Sequence, residues 1–197
     1  MTKFLDLTLS GVSIGAVYAA VALALVLIWR ATRIINFAQG GMAMFTTYVA
    51  VSLIDRNIGY WIAFVVALVT GLVFGAVVER VLIRPVEDKP PINAVIVTLG
   101  LLILVEAVAG SIWGGGDRSF PAYFSQIGLE VGGRQIAFSS FDIFVLAAVV
   151  VILLALAFLF RRTQVGLRMR ASAFAPEVAR LLGVRVGRIL TLGWALA

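Results

Sequence analysis

Apolar residues run through this chain in long blocks, and polar residues gather in the short stretches between them. A helix needs about 20 mainly apolar residues to cross the hydrocarbon core of a bilayer. The first block predicts such a helix over roughly Leu7–Trp29, and a polar break, Arg30–Gly41, follows it. The next block, roughly Met42–Ile54, is 13 residues long and too short to span alone. It must borrow residues from the break or form a partial helix. Further helices are predicted over roughly Tyr60–Val78, Ile92–Trp113 and Phe141–Phe160, with Tyr60, Trp61 and Trp113 suited to a membrane–water interface. Ile189–Ala197 opens another apolar run, so the chain reads as an incomplete bundle that stops inside its sixth membrane segment. The pattern predicts an all-α fold, a single polytopic transmembrane helical bundle over residues 1–197. A short β-hairpin over Leu129–Phe138, turning at Gly132 and Gly133, is expected in the loop before the fifth helix.

The loops carry their own signals. Glu79–Pro91 reads ERVLIRPVEDKPP, and its prolines are expected to stop the helices on both sides. Arg161–Arg188 is strongly basic and contains two amphipathic helical stretches.

Composition narrows the class further. Hydrophobic residues make up 62% of the chain and charged residues 13%, against roughly 45–50% and 25% in soluble domains. Cysteine and histidine are both absent, which excludes disulfides, thiolate or imidazole metal sites and His- or Cys-based catalysis. No metal or other cofactor is expected, nor a catalytic residue. The net charge of +6 fits cytoplasmic loops of a membrane protein and not nucleic-acid binding. With Arg161–Arg188 placed inside and Met42–Ile54 counted as a crossing, Arg30, Arg33, Arg80, Arg84, Lys89 and the arginines of that long loop all lie in the cytoplasm. Only Lys3, Arg56, Arg118 and Arg134 lie outside. This obeys the positive-inside tendency and puts the N-terminus and the Gly114–Ser140 loop, hairpin included, on the outer, periplasmic face of an inner membrane.

The chemistry concentrates in a few places. Arg33–Gly41, RIINFAQGG, sets an Asn, a Gln and two glycines between apolar segments. Non-helical backbone at membrane depth survives only where protein buries it or where it lines a cavity, and broken helices often mark a transport path. An ordinary polar turn is the plainer alternative. In the fourth helix, Glu106 is costly in lipid and must face the bundle interior, a partner helix or water. It either contacts substrate or pairs near the outer interface. Thr98 and Gly100 form a hinge or contact, or Thr98 bonds back to its own helix. The small residues of the first helix, Ser10 to Ala20, and Gly71 and Gly75 of the third are expected to allow close helix packing. A pore-lining role for Ser13 or Tyr18 stays open. Within Val165–Val186, Pro176 and Glu177 suit a helix start, Val178, Leu181 and Leu182 make an apolar stripe, and Gly183 suits a C-cap.

Several of these stretches together resemble a known family. TRIINFAQGGMAMFTTYVA resembles the segment around INFAHGE in the branched-chain amino-acid permeases of ABC import systems. ERVLIRPV, VTLGLLILVEAV, DRSFP and VGLRMRASAFAPEVARLLGVRVGRIL are similar to further segments of that family in the same order. Gln39 stands where the family has His, Gly41 where it has Glu, and Glu106 where it has Gln. The resemblance implies a permease subunit of an ABC importer for branched-chain or other amino acids, or for urea or short amides. It implies a path past Asn36, Gln39, Gly40, Thr98 and Glu106. A separate ATP-binding cassette subunit would dock on the 161–188 coupling region, at Pro176, Glu177, Ala179, Leu181, Leu182 and Gly183. A solute-binding protein outside and a second permease subunit, identical or homologous, complete the implied assembly. The same coupling stretch could instead pack on the chain's own helix ends or lie on anionic lipid. There is no G-x-x-x-x-G-K-[ST] phosphate loop. The rival reading is a secondary transporter or channel that works without an ATPase.

Overall fold

The computed structural model describes residues 2–87, 89–116, 118–131 and 134–197. Eight α-helices and one hairpin follow in chain order: α1 (Thr2–Thr32), α2 (Gln39–Asp55), α3 (Tyr60–Val78), α4 (Pro91–Trp113), β1 (Gly128–Val131), β2 (Arg134–Ser139), α5 (Ser140–Arg162), α6 (Gln164–Phe174), α7 (Pro176–Leu181) and α8 (Val186–Leu196). Among the described residues, four helical segments are long and apolar enough to cross a membrane: Asp6–Arg30, Tyr60–Val86, Pro91–Trp113 and Ser140–Arg162. α2, at 17 residues, gains its length by taking Gln39, Gly40 and Gly41 from the polar break. The hairpin pairs antiparallel with an irregularity between Gly128 and Glu130. Its expected turn at Gly132 and Gly133 lies outside the described residues.

Helix boundaries follow local chemistry. Pro90 and Pro91 open α4, where a missing N–H costs nothing. Gly114, at φ +84°, closes it. At α5, Ser139 and Asp142 form a reciprocal capping box: the Ser139 oxygen accepts from the Asp142 N–H, and the Asp142 carboxylate accepts from the Ser139 N–H. The Ser13 hydroxyl of α1 also donates to Asp142, and Asp6 accepts from the Ala137 N–H at 3.2 Å. These bonds tie the start of α1 to the hairpin and to the start of α5.

One boundary departs from expectation. The chain does not leave the helix at Glu79–Val86. It widens into a π-helical turn over Glu79–Ile83 and then tightens into a 3₁₀ turn over Arg84–Val86. Pro85 lacks an N–H and its ring crowds the carbonyl four residues back. A local change of pitch relieves that clash without ending the helix.

Contacts sort the helix ends into two sets. Trp113 of α4 donates to Ser52 near the end of α2 at 2.5 Å, and Tyr60, Trp61, Phe120, Tyr123, Phe124 and Phe144 form one aromatic cluster. One end of the bundle therefore gathers the starts of α1, α3 and α5 with the ends of α2 and α4. The opposite end gathers the ends of α1 and α5 with the Glu79–Val86 turns, α6, α7 and the start of α8. The core lies between α1, α2, α3, α4 and α8, around Ile28, Ile34, Ala38, Met42, Val78, Leu101, Val105 and Trp194. α5 buries none of its residues, and most large apolar side chains of the spanning helices point outward. That arrangement suits lipid as the surrounding solvent.

Small residues behave unevenly. A Cβ on Gly75 would stand 2.2 Å from the Trp194 carbonyl oxygen, so α3 and α8 touch through their backbones there. Gly71 meets only the Thr46 methyl at an ordinary 3.6 Å, and Gly11 and Gly15 of α1 have nothing within 4 Å. The close packing expected of α1 is thus absent at those two glycines within this chain. Ser13 is bound to Asp142, and Tyr18 points outward.

Candidate functional site

The break between α1 and α2 is a folded structure. Arg33 takes a left-handed conformation, φ +59°, which ends α1 and turns the chain. Ile34–Asn36 has no regular secondary structure, and a turn at Phe37 and Ala38 then enters α2. Asn36 is 1% exposed. Its side-chain oxygen accepts from the Ala38 N–H at 3.0 Å, the hydrogen bond of an Asx-turn. Its amide nitrogen donates to the Gln39 side-chain oxygen at 3.0 Å. The Gln39 nitrogen in turn donates to the Ala197 carbonyl beyond α8 at 2.8 Å. Ala38, the residue at the cap position, offers no side-chain acceptor of its own, and Asn36 organises the helix start from two residues earlier. Leucine at Asn36 leaves the Ala38 N–H and the Gln39 oxygen without these partners. It is expected to cost about 1–2 kcal/mol, read as a lower unfolding midpoint in detergent.

Gln39 also faces a cavity of about 500 Å³ between α2, α3 and α8. Its walls are mainly apolar: Met42, Ala43 and Ala50 from α2, Phe64, Leu68, Leu72 and Phe74 from α3, and Trp194 and Leu196 from α8. Thr46 and Thr47 add hydroxyls, each donating to the Ala43 carbonyl at 2.9 and 2.8 Å, which leaves their oxygens free to accept. Among the described residues, no ionisable side chain lines this space. It can hold a small apolar group and offer it uncharged polar contacts at one wall.

The other expected path residues are dispersed. Gly40 is exposed, with open space where a Cβ would be. Thr98 is fully buried and donates to the Val95 carbonyl of its own helix at 3.0 Å. Glu106 lies exposed on α4, away from the cavity lining. The structure brings Asn36 and Gln39 together and leaves Thr98 and Glu106 outside that group. Gly41 is buried, and a Cβ there would stand 2.9 Å from Leu102 Cδ1 and 3.7 Å from Val105 Cγ1. A longer side chain at this position would push into the α2–α4 contact.

Sequence reading missed one polar cluster altogether. Glu79, 1% exposed, forms an ion pair with Arg84 at 3.0 Å. The Arg84 Nε and Nη2 both lie within bonding distance of Glu79 Oε1, at 3.2 and 3.0 Å. Nη2 also reaches the Gly187 carbonyl and the Thr191 hydroxyl, each at 2.8 Å, and the Thr191 hydroxyl donates to Glu79 Oε2 at 2.6 Å. α-Helical neighbours are three or four apart. A spacing of five aligns only in the wider π-turn that the chain adopts here. The ERVLIRPV string was available as a motif, but its geometry was not.

The stretch after α5 forms the two helices α6 and α7. Thr163 caps α6 by accepting from the Gly166 N–H at 3.2 Å. Pro176 occupies the first turn of α7, and Gly183 follows that helix at φ +80°. Ala179 packs with Val186 and Leu190. Phe174, Leu181 and Leu182 are 91%, 88% and 78% exposed.

The family model described as branched-chain amino acid transport system / permease component matches residues 7–197. The chain belongs to this family. The relative named high-affinity branched-chain amino acid transport system permease protein LivH, from Escherichia coli strain K12, is 30% identical over 96% of this chain. Its counterpart from Salmonella typhimurium is 28% identical over the same share. A probable branched-chain amino acid transport permease protein LivH from Methanocaldococcus jannaschii is 27% identical over 89%. The chain spans 65% of the length of the first two and 57% of the third. No solved structure matches it. Permease-family membership and the four apolar helical segments together make this a multi-pass membrane protein.

Proposed function

We propose that this permease-family chain is the membrane subunit of an ABC importer for branched-chain or similarly small amino acids, driven by a separate ATPase. The observation that carries the reading is the tip of the α6–α7 pair. Phe174, Leu181 and Leu182 project almost wholly from the protein, while Ala179 and the α8 residues Val186 and Leu190 hold α7 from behind. Large apolar side chains presented on a braced, arginine-rich support are the signature of a docking surface. The ATPase subunit is its proposed partner, receiving Leu181, Leu182 and their neighbours in a groove.

The two sets of helix ends support the orientation. The end carrying α6 and α7 holds Arg30, Arg33, Arg80, Arg84 and the arginines from Arg161 to Arg188, so it is assigned to the cytoplasm and the N-terminus to the outside. The Gly114–Ser140 segment then faces a solute-binding protein. A second permease subunit, identical or homologous, would share the path. The cavity beside Gln39 suits the apolar side chain of the substrate, with Gln39, Thr46 and Thr47 as neutral polar contacts. Transport would proceed by alternating access, with α7 passing ATPase movement through α8 to the α3 and α2 walls of the cavity.

Aspartates at both Leu181 and Leu182 test this directly. Both side chains are solvent-facing, so stability in detergent is expected to change by less than about 0.5 kcal/mol. ATP-driven uptake of leucine by the reconstituted complex is expected to fall at least tenfold, on the scale of a lost interface anchor. Full uptake by the double variant, or full-rate flux without any ATPase, would refute the importer reading and favour a secondary transporter or channel.

A further inference from the structure

A second cavity, of about 410 Å³, lies at the arginine-rich end between the ends of α1 and α5 and the face of α6. Three guanidinium groups line it: Arg30 and Arg33 at the end of α1, and Arg170 from α6. Among the described residues, no carboxylate lines it. The ion pairs described, Arg84–Glu79 and Arg118–Asp55, involve none of these three arginines. Arg33 is held in place by its left-handed backbone and by stacking over the Trp29 ring, with Cζ 4.6 Å from the centroid. Three like charges lining one space repel each other unless an anion joins them. The remaining walls are apolar: Leu27, Trp29 and Phe160 come from membrane-spanning helices, and Met169, Ala173 and Phe174 from α6.

We propose that this cavity binds the headgroup of an anionic phospholipid, with the phosphodiester between Arg30, Arg33 and Arg170. The upper acyl chains would lie against Leu27 and Phe160. The depth of the site selects a lipid over a soluble anion. Arg30 ends the first spanning segment and Phe160 lies in the last turn of the fourth, so the cavity opens at the headgroup layer. Trp29 has the place of an interfacial aromatic there. Basic pockets between helix ends on the cytoplasmic side suit such headgroups, and each arginine near the surface adds roughly 1 kcal/mol of attraction. The proposal rests on the membrane placement of the chain and is independent of what the permease carries.

The test is native mass spectrometry of the purified protein, released from nanodiscs of phosphatidylcholine with and without phosphatidylglycerol. The protein is expected to retain phosphatidylglycerol. The triple variant R30Q/R33Q/R170Q is expected to retain at least tenfold less, within the scale set by losing three such charges. The control R168Q/R185Q/R188Q removes equal charge around the neighbouring α6–α8 cavity and is expected to retain it. Should the triple variant misfold, a headgroup-photoactivatable phosphatidylglycerol on the unaltered protein is expected to label Trp29, Phe160 or Met169. Equal loss in both triple variants would reduce the effect to diffuse charge and overturn the proposal. So would displacement by millimolar inorganic phosphate, which marks a soluble-anion site. Retention unchanged in the first triple variant while ATPase binding is lost would assign the arginines to the protein partner instead. Because none of these readouts involves uptake, a failed importer assay leaves the lipid result standing, and the reverse also holds.

Discussion

Alanine at Arg84 is expected to destabilise the protein by about 3–5 kcal/mol, the range found when one partner of a buried pair is removed. Glu79 is 1% exposed and would keep a charge with no counter-ion. The same change removes the guanidinium contacts to Gly187 and Thr191 that hold α8 to the end of α3. The reverse deletion should cost less, because the Arg84 side chain is 36% exposed and can turn to water. Glu79→Ala is therefore expected to lie between the native protein and Arg84→Ala in unfolding midpoint in detergent. A paired apolar replacement, Glu79→Leu with Arg84→Met, should recover much of the loss, since well-packed apolar residues often replace a buried pair without penalty. If Arg84→Ala unfolds at the native midpoint, the cluster is not holding the two helices together.

Valine at Gly75 is expected to cost about 3 kcal/mol or more, at the upper end of overpacking effects. The new Cβ would fall 2.2 Å from the Trp194 carbonyl oxygen and 2.9 Å from its carbon. Both are backbone atoms of α8 and cannot swing aside as a side chain can. The two helices would have to separate, opening the core around Val78 and Trp194 and the cavity wall that α8 supplies. Gly71→Ala supplies the contrast. Its Cβ would meet the Thr46 methyl at 3.6 Å, an ordinary contact, and glycine is a poor helix former. That variant should match or slightly exceed native stability in the same thermal unfolding series. Equal losses at the two positions would show that generic glycine effects, and not the α3–α8 contact, set the cost.

Much of the candidate site could be read from residue order because it is local. Asn36 and Gln39 lie three apart, and an Asn before a helix start commonly turns back on the backbone. The break that contains them was visible because the block after it is too short to span a membrane. What they face was hidden. The cavity beside Gln39 needs α3 and α8, and α8 begins more than 140 positions later. Thr98 and Glu106 show the limit from the other side. Both stand out chemically in an apolar helix, yet one is turned into its own backbone and the other outward. Residue type marks a costly group, and only packing says which way it points.

The order of residues alone determined the membrane class, the placement of the spanning helices, the hairpin and the α6–α7 pair. These depend on block length, proline and glycine punctuation and charge, all of which act over a few neighbouring residues. Tertiary structure decided the rest. It carried the helix through Pro85, where sequence alone placed a stop, and in doing so brought Glu79 and Arg84 onto one face. It chose Gly75 over Gly71 for backbone contact and left Gly11 and Gly15 unpacked within this chain. The physical reason is the same in each case. A side chain's energy depends on which distant atoms replace solvent around it, and those atoms are fixed only when α8 returns against α1 and α3.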